Sequence, residues 1–325
     1  MTTSRIDQDI ADVLAALDKR KPLRQIYFVA CGGSLAQMYL PEYALHREST
    51  TLASIVLSSA EFIARAPKGL MDTSLVVLCS GSGTTPETVQ AAEFAKGRGA
   101  LVVGFSTDAA SPLATVAHKA IPYVSQPLIA SGDAVSAIIL RLVFAILARI
   151  EGCRTGEALD GALAALPEVI ARNIDNNEVN AWASSVKRAP VIYTMASGPN
   201  YGVAYSLAIC LLQEMQWIHA EAIHSGEYFH GPFEITDFDV PFILLKGIGP
   251  CRDMDDRAEV FARKFSQKVL TLDAGALDLC GISQEVAEYV TPLIFMPLAR
   301  VYIARLSEER GHPLTVRRYM WKMSY

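Results

Sequence analysis

The residues best suited to acid–base chemistry are concentrated in one segment, residues 213–233. It holds three of the six histidines and three carboxylates. Glu214 stands late in a predicted helix among apolar neighbours, so we expect it to be partly desolvated, as is typical of a carboxylate that works as a general base. His230 precedes Gly231-Pro232, where a loop would present an imidazole that gives or takes a proton near neutral pH. The segment indicates acid–base catalysis with Glu214 and His230 as the candidates.

Other interpretations of this segment stay open. The Glu214 carboxylate would serve equally in a structural hydrogen bond or ion pair. His219 and His224 are more typical of hydrogen-bonded structural residues, and Glu227 suits a helix or loop cap as readily as a functional role. A metal site is disfavoured, because the spacings match neither HExxH nor a triad of two histidines and one carboxylate. We predict no metal.

Two turns of small and hydroxyl-bearing residues follow two predicted strands in the first half. One is Cys31-Gly32-Gly33-Ser34, and the other is SGSGTTPET, which starts at Ser80. At the carboxyl end of a parallel sheet, such turns present backbone N–H groups beside the positive N-terminus of the next helix. A nucleotide site is disfavoured, since neither GxxxxGK[ST] nor GxGxxG is present. The turns favour a phosphate cradle; the alternative is that they only reverse the chain and cap a helix.

The elements that position these residues alternate between β-branched runs and helical patterns, which is typical of βαβ units. Strands are predicted at 25–30, 52–57, 74–79, 100–105, 119–124, 191–195, 241–246 and 268–272. Helices are predicted at 34–46, 60–66, 86–96, 112–117, 133–150, 201–217, 254–265 and 284–310. The last is expected to kink or break at Pro292 and Pro297. Alanine-rich residues 151–189 are interpreted as a helical linker.

The pattern predicts an α/β protein of two tandem, doubly wound domains, each a mostly parallel sheet flanked by helices. The domains are predicted as residues 1–155 and 156–325. In the second half, the turns at 197–200 and 247–250 lack the Ser-x-Ser-Gly-x-Thr pattern. One cradle and one acid–base cluster therefore indicate a single site that both halves supply.

Composition excludes several classes of protein. Of 325 residues 51% are hydrophobic and only 19% charged, which excludes intrinsic disorder. A net charge of −5 disfavours nucleic-acid binding. The apolar stretch 134–150 contains two arginines and is short for a membrane span, and the first residues lack the apolar core of a signal peptide. Six cysteines without a CxxC pair argue against a disulfide framework. We expect a cytoplasmic protein that binds neither nucleic acid nor membrane.

The C-terminal residues 317–325 mix cations with aromatic side chains instead of forming a polar, flexible end. We expect this tail to dock on the protein. Its cations Arg317, Arg318 and Lys322 would then either meet an anionic substrate or pack on the surface, and the sequence does not say which of them face the site.

These motifs resemble the sugar isomerase (SIS) family. The SGSGTTPET turn, the strand that ends in Cys-Gly-Gly-Ser and the duplicated layout are typical of it. Gln213-Glu214, residues 218–222 and His230-Gly231-Pro232 are similar to the isomerase domain of glucosamine-6-phosphate synthase. More narrowly, the chain resembles the ketosamine-6-phosphate deglycases of fructose-asparagine catabolism. Two departures from the synthase are Gly81, where it has a glutamine, and its C-terminal lysine, for which Lys322 is the one loose candidate.

The resemblance implies a role for each candidate residue. Glu214 and His230 would be the acid–base pair, with the histidine supplied by the neighbouring subunit of a homodimer. The remaining residues would bind the phosphate or other parts of the substrate: Gly33, Ser34, Ser80, Ser82, Thr85, Glu227 and Lys322. No cofactor is implied.

The implied reaction is deglycation of a 6-phosphorylated fructosamine, an Amadori compound, with 6-phosphofructose-aspartate as the expected substrate. Removal of a C1 proton would give an enaminol, and hydrolysis of the resulting imine would release glucose 6-phosphate and the free amino acid. Two alternatives use the same cradle. One is an aldose–ketose phosphosugar isomerase, and the other is a phosphosugar sensor without turnover.

Overall fold

The computed structural model describes residues 4–124 and 134–323. They divide into two compact units, residues 4–124 with 134–164 and residues 165–323. Each unit is built on its own sheet, and all the strand pairs of both sheets are parallel. The predicted α/β class and the two doubly wound sheets are confirmed. The predicted domain boundary at 155/156 stays a prediction.

The first unit carries a five-stranded sheet in the order β2-β1-β3-β4-β5. Its strands are β1 (Gln25–Ala30), β2 (Ala53–Ser58), β3 (Ser74–Cys79), β4 (Leu101–Ser106) and β5 (Lys119–Pro122). Its helices are α1 (Arg5–Asp18), α2 (Gly32–Ala36), α3 (Tyr39–Glu48), α4 (Ser59–Arg65), α5 (Pro86–Gly97), α6 (Pro112–Val116) and α7 (Val135–Glu151). Apolar side chains of β1, β3 and β4 pack with those of α5 in one core.

Two helices of this unit differ from the prediction. The single helix expected at 34–46 is two helices, α2 and α3, because the N–H of Met38 bonds to the carbonyl of Leu35 in a tight turn. The helix expected at 133–150 is α7, which ends where Gly152 adopts a left-handed conformation. Asp133, at the predicted start of that helix, lies outside the described residues.

The second unit carries a four-stranded sheet in the order β7-β6-β8-β9. Its strands are β6 (Val191–Ala196), β7 (His219–His224), β8 (Phe242–Lys246) and β9 (Val269–Asp273). The remaining helices of the chain are α8 (Leu159–Arg172), α9 (Asn176–Val186), α10 (Tyr201–Ser206), α11 (Arg252–Phe265) and α12 (Gln284–Glu309). The helix α10 continues as a π-helix, Leu207–Met215. Most of residues 151–189 is helical, as predicted, mainly in α8 and α9.

The strand β7 was not predicted. Its sequence HAEAIH is poor in β-branched residues, and it lies at the edge of the sheet with His219 and Glu221 exposed. A parallel partner on one side is enough to order it, because Val191–Ala196 pairs with it along its whole length. The strand fixes the stretch of chain that directly follows Glu214.

The last helix was expected to kink or break at its prolines; α12 runs without a break from Gln284 to Glu309 through both of them, and the kink stays a prediction. Pro292 cannot donate to the carbonyl of Glu288, but the Thr291 hydroxyl donates to that carbonyl at 2.9 Å instead. In the described part of the chain, α12 is the one helix that is long and apolar enough to cross a membrane. Of its apolar stretch, 72% is buried within the protein, as in a core helix.

Candidate active site

The two hydroxyl-rich turns follow neighbouring strands, as predicted. β1 pairs with β3, and Ala30 lies opposite Cys79 at the carboxyl ends of both strands. The strand order reverses between these two strands, and crevices at such switch points are where open parallel sheets bind ligands. Gly33 and Ser34 lie in the short helix α2, directly after β1. The sheet therefore brings the two predicted turns to one edge.

The turn after β3 is held in place by hydrogen bonds to its own hydroxyls, to the residue that follows β4 and to α6. The buried Ser80 hydroxyl accepts from the N–H of Gly83 at 3.1 Å. The carbonyl of Gly81 accepts from both the N–H and the hydroxyl of Thr107, at 3.0 and 2.8 Å. The carbonyl of Gly83 accepts from the N–H of Leu113 at 3.0 Å. The conformation is thus fixed before any ligand binds.

Several donors of this turn remain available to an anion. The backbone N–H groups of Gly81, Ser82 and Thr85 make no hydrogen bond to any described residue. The hydroxyls are paired with one another, Ser80 with Thr85 at 2.9 Å and Ser82 with Thr84 at 2.7 Å. A turn of free amides at the start of α5, where Pro86 is the first residue, is suited to bind a phosphate. Thr84 was missing from the predicted set, although it belongs to the same turn.

The two cysteines at these strand ends have structural surroundings. Cys79 is fully buried, and that burial raises the pKa of its thiol to about 11, while hydrogen bonding with Ser34 and Tyr123 acts in the opposite direction. The thiol is therefore protonated at neutral pH. Cys31 is partly buried, and its sulfur accepts from the Thr88 hydroxyl at 3.8 Å. Both contacts agree with the packing role expected of these residues.

Gly83→Ala should damage the cradle without touching a donor. Gly83 has φ +67°, and an added Cβ would lie 2.2 Å from the Ser111 hydroxyl oxygen, so the turn must shift. We expect the affinity for glucose 6-phosphate, measured by calorimetry, to fall by about tenfold or more, as when a well-formed charge-assisted contact is lost. Gly97→Ala is the matched control, because nothing lies within 4 Å of its added Cβ. Equal affinities for the two variants would contradict the cradle.

Glu214 lies on the π-helix Leu207–Met215, and such segments are frequent at functional sites. Its side chain is 24% exposed, so it is partly buried. Nε of Arg317, a side chain only 7% exposed, donates to Oε1 of Glu214 at 2.8 Å. The ion pair that stood as the alternative interpretation is therefore present. It leaves the second oxygen, Oε2, without a hydrogen-bond partner among the described residues.

A cavity of about 630 Å³ opens beside Glu214 within the second unit, in the usual range for small-molecule sites. Its lining comes from the end of the π-helix, the start of β7 and the C-terminal tail, and includes Trp217, His219, Arg317 and Arg318. The tail contacts the rest of the unit through the buried Arg317 and forms one wall of the cavity, while Tyr319, Trp321 and Met323 are exposed. The combination of a carboxylate with one free oxygen and an adjacent cavity is suited to proton abstraction from a bound ligand.

The other predicted site residues of this unit lie apart from that cavity. His230 is exposed, in the single turn Tyr228–His230, and does not line the cavity. Glu227 is exposed at the start of the same turn, and its carboxylate caps nothing there. Lys322 donates to the backbone carbonyl of Arg317, which helps to fold the tail. The roles predicted for these three residues stay predictions.

The other two histidines of residues 213–233, His219 and His224, have different surroundings. Nδ1 of His224 accepts from the N–H of Gly226 at 3.1 Å, and its ring packs against Tyr201, as expected for a structural residue. His219 makes no side-chain hydrogen bond to the described residues and lines the cavity. Nothing in the sequence indicated that His219 and Trp217 lie in the cavity wall, and the role of His219 stays open. The unpredicted strand β7 is the reason, because it places His219 there.

The comparisons with known proteins agree with this geometry. Residues 21–148, which include the cradle, match the family model of the SIS domain. The whole chain is similar to Fructosamine deglycase FrlB of Bacillus subtilis (strain 168), with 42% identity over 99% of this chain and 99% of that protein. The chain therefore belongs to the SIS family.

Two further relatives agree with this assignment. Fructoselysine 6-phosphate deglycase of Escherichia coli (strain K12) is 28% identical over 90% of this chain and 85% of its own length. A crystal structure from Bacillus subtilis, described as a candidate phosphosugar isomerase, superimposes with a TM-score of 0.94 at 43% identity. That superposition covers 98% of this chain and 97% of the other chain. The family expected from the motifs is thus confirmed.

Proposed function

We propose that this protein is a fructosamine-6-phosphate deglycase. The observation that carries the proposal is the carboxylate of Glu214, fixed by Arg317 through one oxygen and left with the other oxygen free beside a cavity of about 630 Å³. The free amides of the turn that starts at Ser80 supply the phosphate site that such a substrate needs. Two proteins similar to this chain, Fructosamine deglycase FrlB and Fructoselysine 6-phosphate deglycase, support the same reaction class.

In the proposed reaction the cradle binds the 6-phosphate and so restricts the movement of the open-chain sugar. Glu214 removes a proton from C1, the carbon that bears nitrogen, and a double bond forms between C1 and C2 while the C2 oxygen takes up a proton. Return of a proton to C2 converts this enaminol to the imine of glucose 6-phosphate. Water then hydrolyses the imine to the aldehyde and the free amine. The proposed substrate is 6-phosphofructose-aspartate, on the resemblance given above.

His230 is proposed to act as the second acid–base group, which moves the proton at the sugar oxygen during ring opening. It is exposed and stands outside the cavity of its own chain. This agrees with a homodimer in which His230 of one chain serves the Glu214 of its partner. Such sharing makes the dimer the smallest active unit.

The direct test is an assay for glucose 6-phosphate release from a panel of 6-phosphofructose–amino-acid conjugates, with fructose 6-phosphate alone assayed in parallel. We expect release from the conjugates. Conversion of fructose 6-phosphate without turnover of any conjugate would show an isomerase instead. Tight binding of conjugates without turnover would show a sensor, and either result would reject the deglycase.

Mixing two inactive variants tests the shared site. If Glu214 and His230 act across a dimer, heterodimers of Glu214→Gln and His230→Asn contain one intact site and one site that lacks both groups. We expect each variant alone to be inactive and an equimolar, re-equilibrated mixture to recover about a quarter of the wild-type rate, since half the dimers then hold one good site of two. No recovery, although exchange is verified by mass spectrometry, would place both residues in one chain.

A further inference from the structure

The three cations of the C-terminal tail are not equivalent. Arg317 uses Nε on Glu214 and Nη1 on the carbonyls of Leu314 and Val316, at 2.7 and 2.9 Å. Lys322 donates to the carbonyl of Arg317. These two side chains therefore already have acceptors within the protein.

Arg318 differs from both. It lines the cavity, yet its guanidinium makes no hydrogen bond or ion pair with any residue in the described part of the chain. Its Cζ lies 4.4 Å from the centre of the Trp217 ring. A guanidinium stacked on an aromatic face keeps its N–H groups at the edge of the stack, where they are free to bind a carboxylate through two hydrogen bonds.

The surface on which Arg318 lies is itself fixed. Trp217 has φ +54°, a left-handed conformation that is uncommon for a bulky residue, and its N–H bonds to the carbonyl of Gln213. The ring of His312 packs against the indole with centroids 4.5 Å apart. The indole is therefore held in place, and Arg318 is oriented before a ligand arrives.

The proposed substrate carries a carboxylate close to the carbon that Glu214 deprotonates, and the inference rests on that proposed function. Glu214 must reach C1 of the sugar. When the amine is the α-amino group of an amino acid, the carboxylate carbon is three covalent bonds from C1, through the nitrogen and Cα. A group that binds that carboxylate has to lie in the same cavity as the base. Arg318 is the cation there whose guanidinium makes no hydrogen bond to the described residues.

We propose that Arg318, stacked on Trp217, is a specificity residue that binds the α-carboxylate of the amino-acid half of the substrate. The favoured substrates are then fructosamine 6-phosphates joined through an α-amino group. Conjugates joined through a side-chain amine place their carboxylate several bonds further from C1 and lose this contact.

The test uses two substrates that differ only at the carboxylate, the 6-phosphofructose conjugates of alanine and of alaninamide. For the wild type we expect kcat/KM to be about 10–100-fold higher with the alanine conjugate, the usual effect of a charge-assisted pair. Arg318→Leu should reduce that ratio to near one, because kcat/KM should fall for the alanine conjugate and stay unchanged for the alaninamide conjugate. Arg188→Leu is the control, an exposed arginine of the same unit that should leave the ratio unchanged.

Two results would overturn the inference. One is a wild type that does not distinguish the two conjugates, and the other is an Arg318→Leu variant that loses activity equally on both. Binding to the Glu214→Gln protein, measured by calorimetry for the same pair, separates this failure from failure of the proposed reaction. If nothing is turned over but the alanine conjugate still binds more tightly, and Arg318→Leu abolishes that preference, the reaction is wrong and the carboxylate site stands.

Discussion

Glu214→Gln is expected to lower kcat for glucose 6-phosphate release by about 10²–10⁴-fold or more, the usual contribution of a positioned acid–base group. The amide has nearly the shape of the carboxylate, and its oxygen still accepts from Nε of Arg317, so the tail should remain docked. An amide cannot take the C1 proton. The loss should therefore fall on kcat, with the affinity for the phosphosugar within about twofold of the wild type.

This prediction separates a base from a structural ion pair. Steady-state kinetics give kcat, calorimetry with glucose 6-phosphate gives the affinity, and thermal unfolding reports the fold. Glu93→Gln is the matched control, an exposed glutamate of α5 with no hydrogen bond to the described residues, and should behave as the wild type. If Glu214→Gln keeps near-full turnover, Glu214 serves the docking of the tail and another group removes the proton.

Much of the fold was predictable, because the apolar runs in the sequence coincide with the buried strands of the structure. β1 and β3 were predicted to the residue, since each is a mostly apolar run that is followed by a turn rich in glycine and serine. The strand β7 was missed because pairing with β6, a contact outside its own segment, orders the sequence HAEAIH as a strand. The continuity of α12 has a local cause instead, since the Thr291 hydroxyl donates to the Glu288 carbonyl in place of the missing N–H of Pro292.

The candidate site, too, has one part that could be predicted from the sequence and one part that could not. The hydroxyl-rich turn after β3 was predictable because its donors are consecutive in sequence, and the conformation of the turn depends on its own glycines. The cavity beside Glu214 was not, because it joins residues about a hundred positions apart, Glu214 and Arg317. The sequence indicated that the tail docks, but only the ion pair shows which cation contacts the carboxylate.

The switch point of the second sheet differs from the one beside the hydroxyl-rich turns of the first sheet. The turns after β6 and β8 lie at the switch point of their own sheet, yet a carboxylate of the protein already occupies it. Asp255, which is 1% exposed, accepts from the hydroxyls of Ser197 and Ser225 at 2.7 and 2.6 Å and from the N–H of Gly247 at 3.3 Å. The remaining cavity measures about 10 Å³, too small for a phosphate.

The buried carboxyl group of Asp255 has a structural consequence for the loop that carries His230. Ser225 directly follows β7, and the chain from Ser225 leads to the turn that carries His230. Burial raises the pKa of Asp255, while the hydrogen bonds from Ser225, Ser197 and Gly247 act in the opposite direction. The carboxyl group thus ties three loops of the second unit together, and one of them is the loop of the proposed acid–base histidine.

Asp255→Ala should therefore destabilise the protein by about 3 kcal/mol or more, since it leaves buried donors on Ser225 and Gly247 without an acceptor. Urea unfolding measures this loss. Asp255→Asn keeps one acceptor oxygen and should lose less, and Asp253→Ala, an exposed residue of the same helix, should lose almost nothing. Under conditions where Asp255→Asn is folded, a lower kcat with unchanged affinity for glucose 6-phosphate would show that the loop positions His230. An unchanged unfolding midpoint for Asp255→Ala would show that the three loops hold together without this carboxylate.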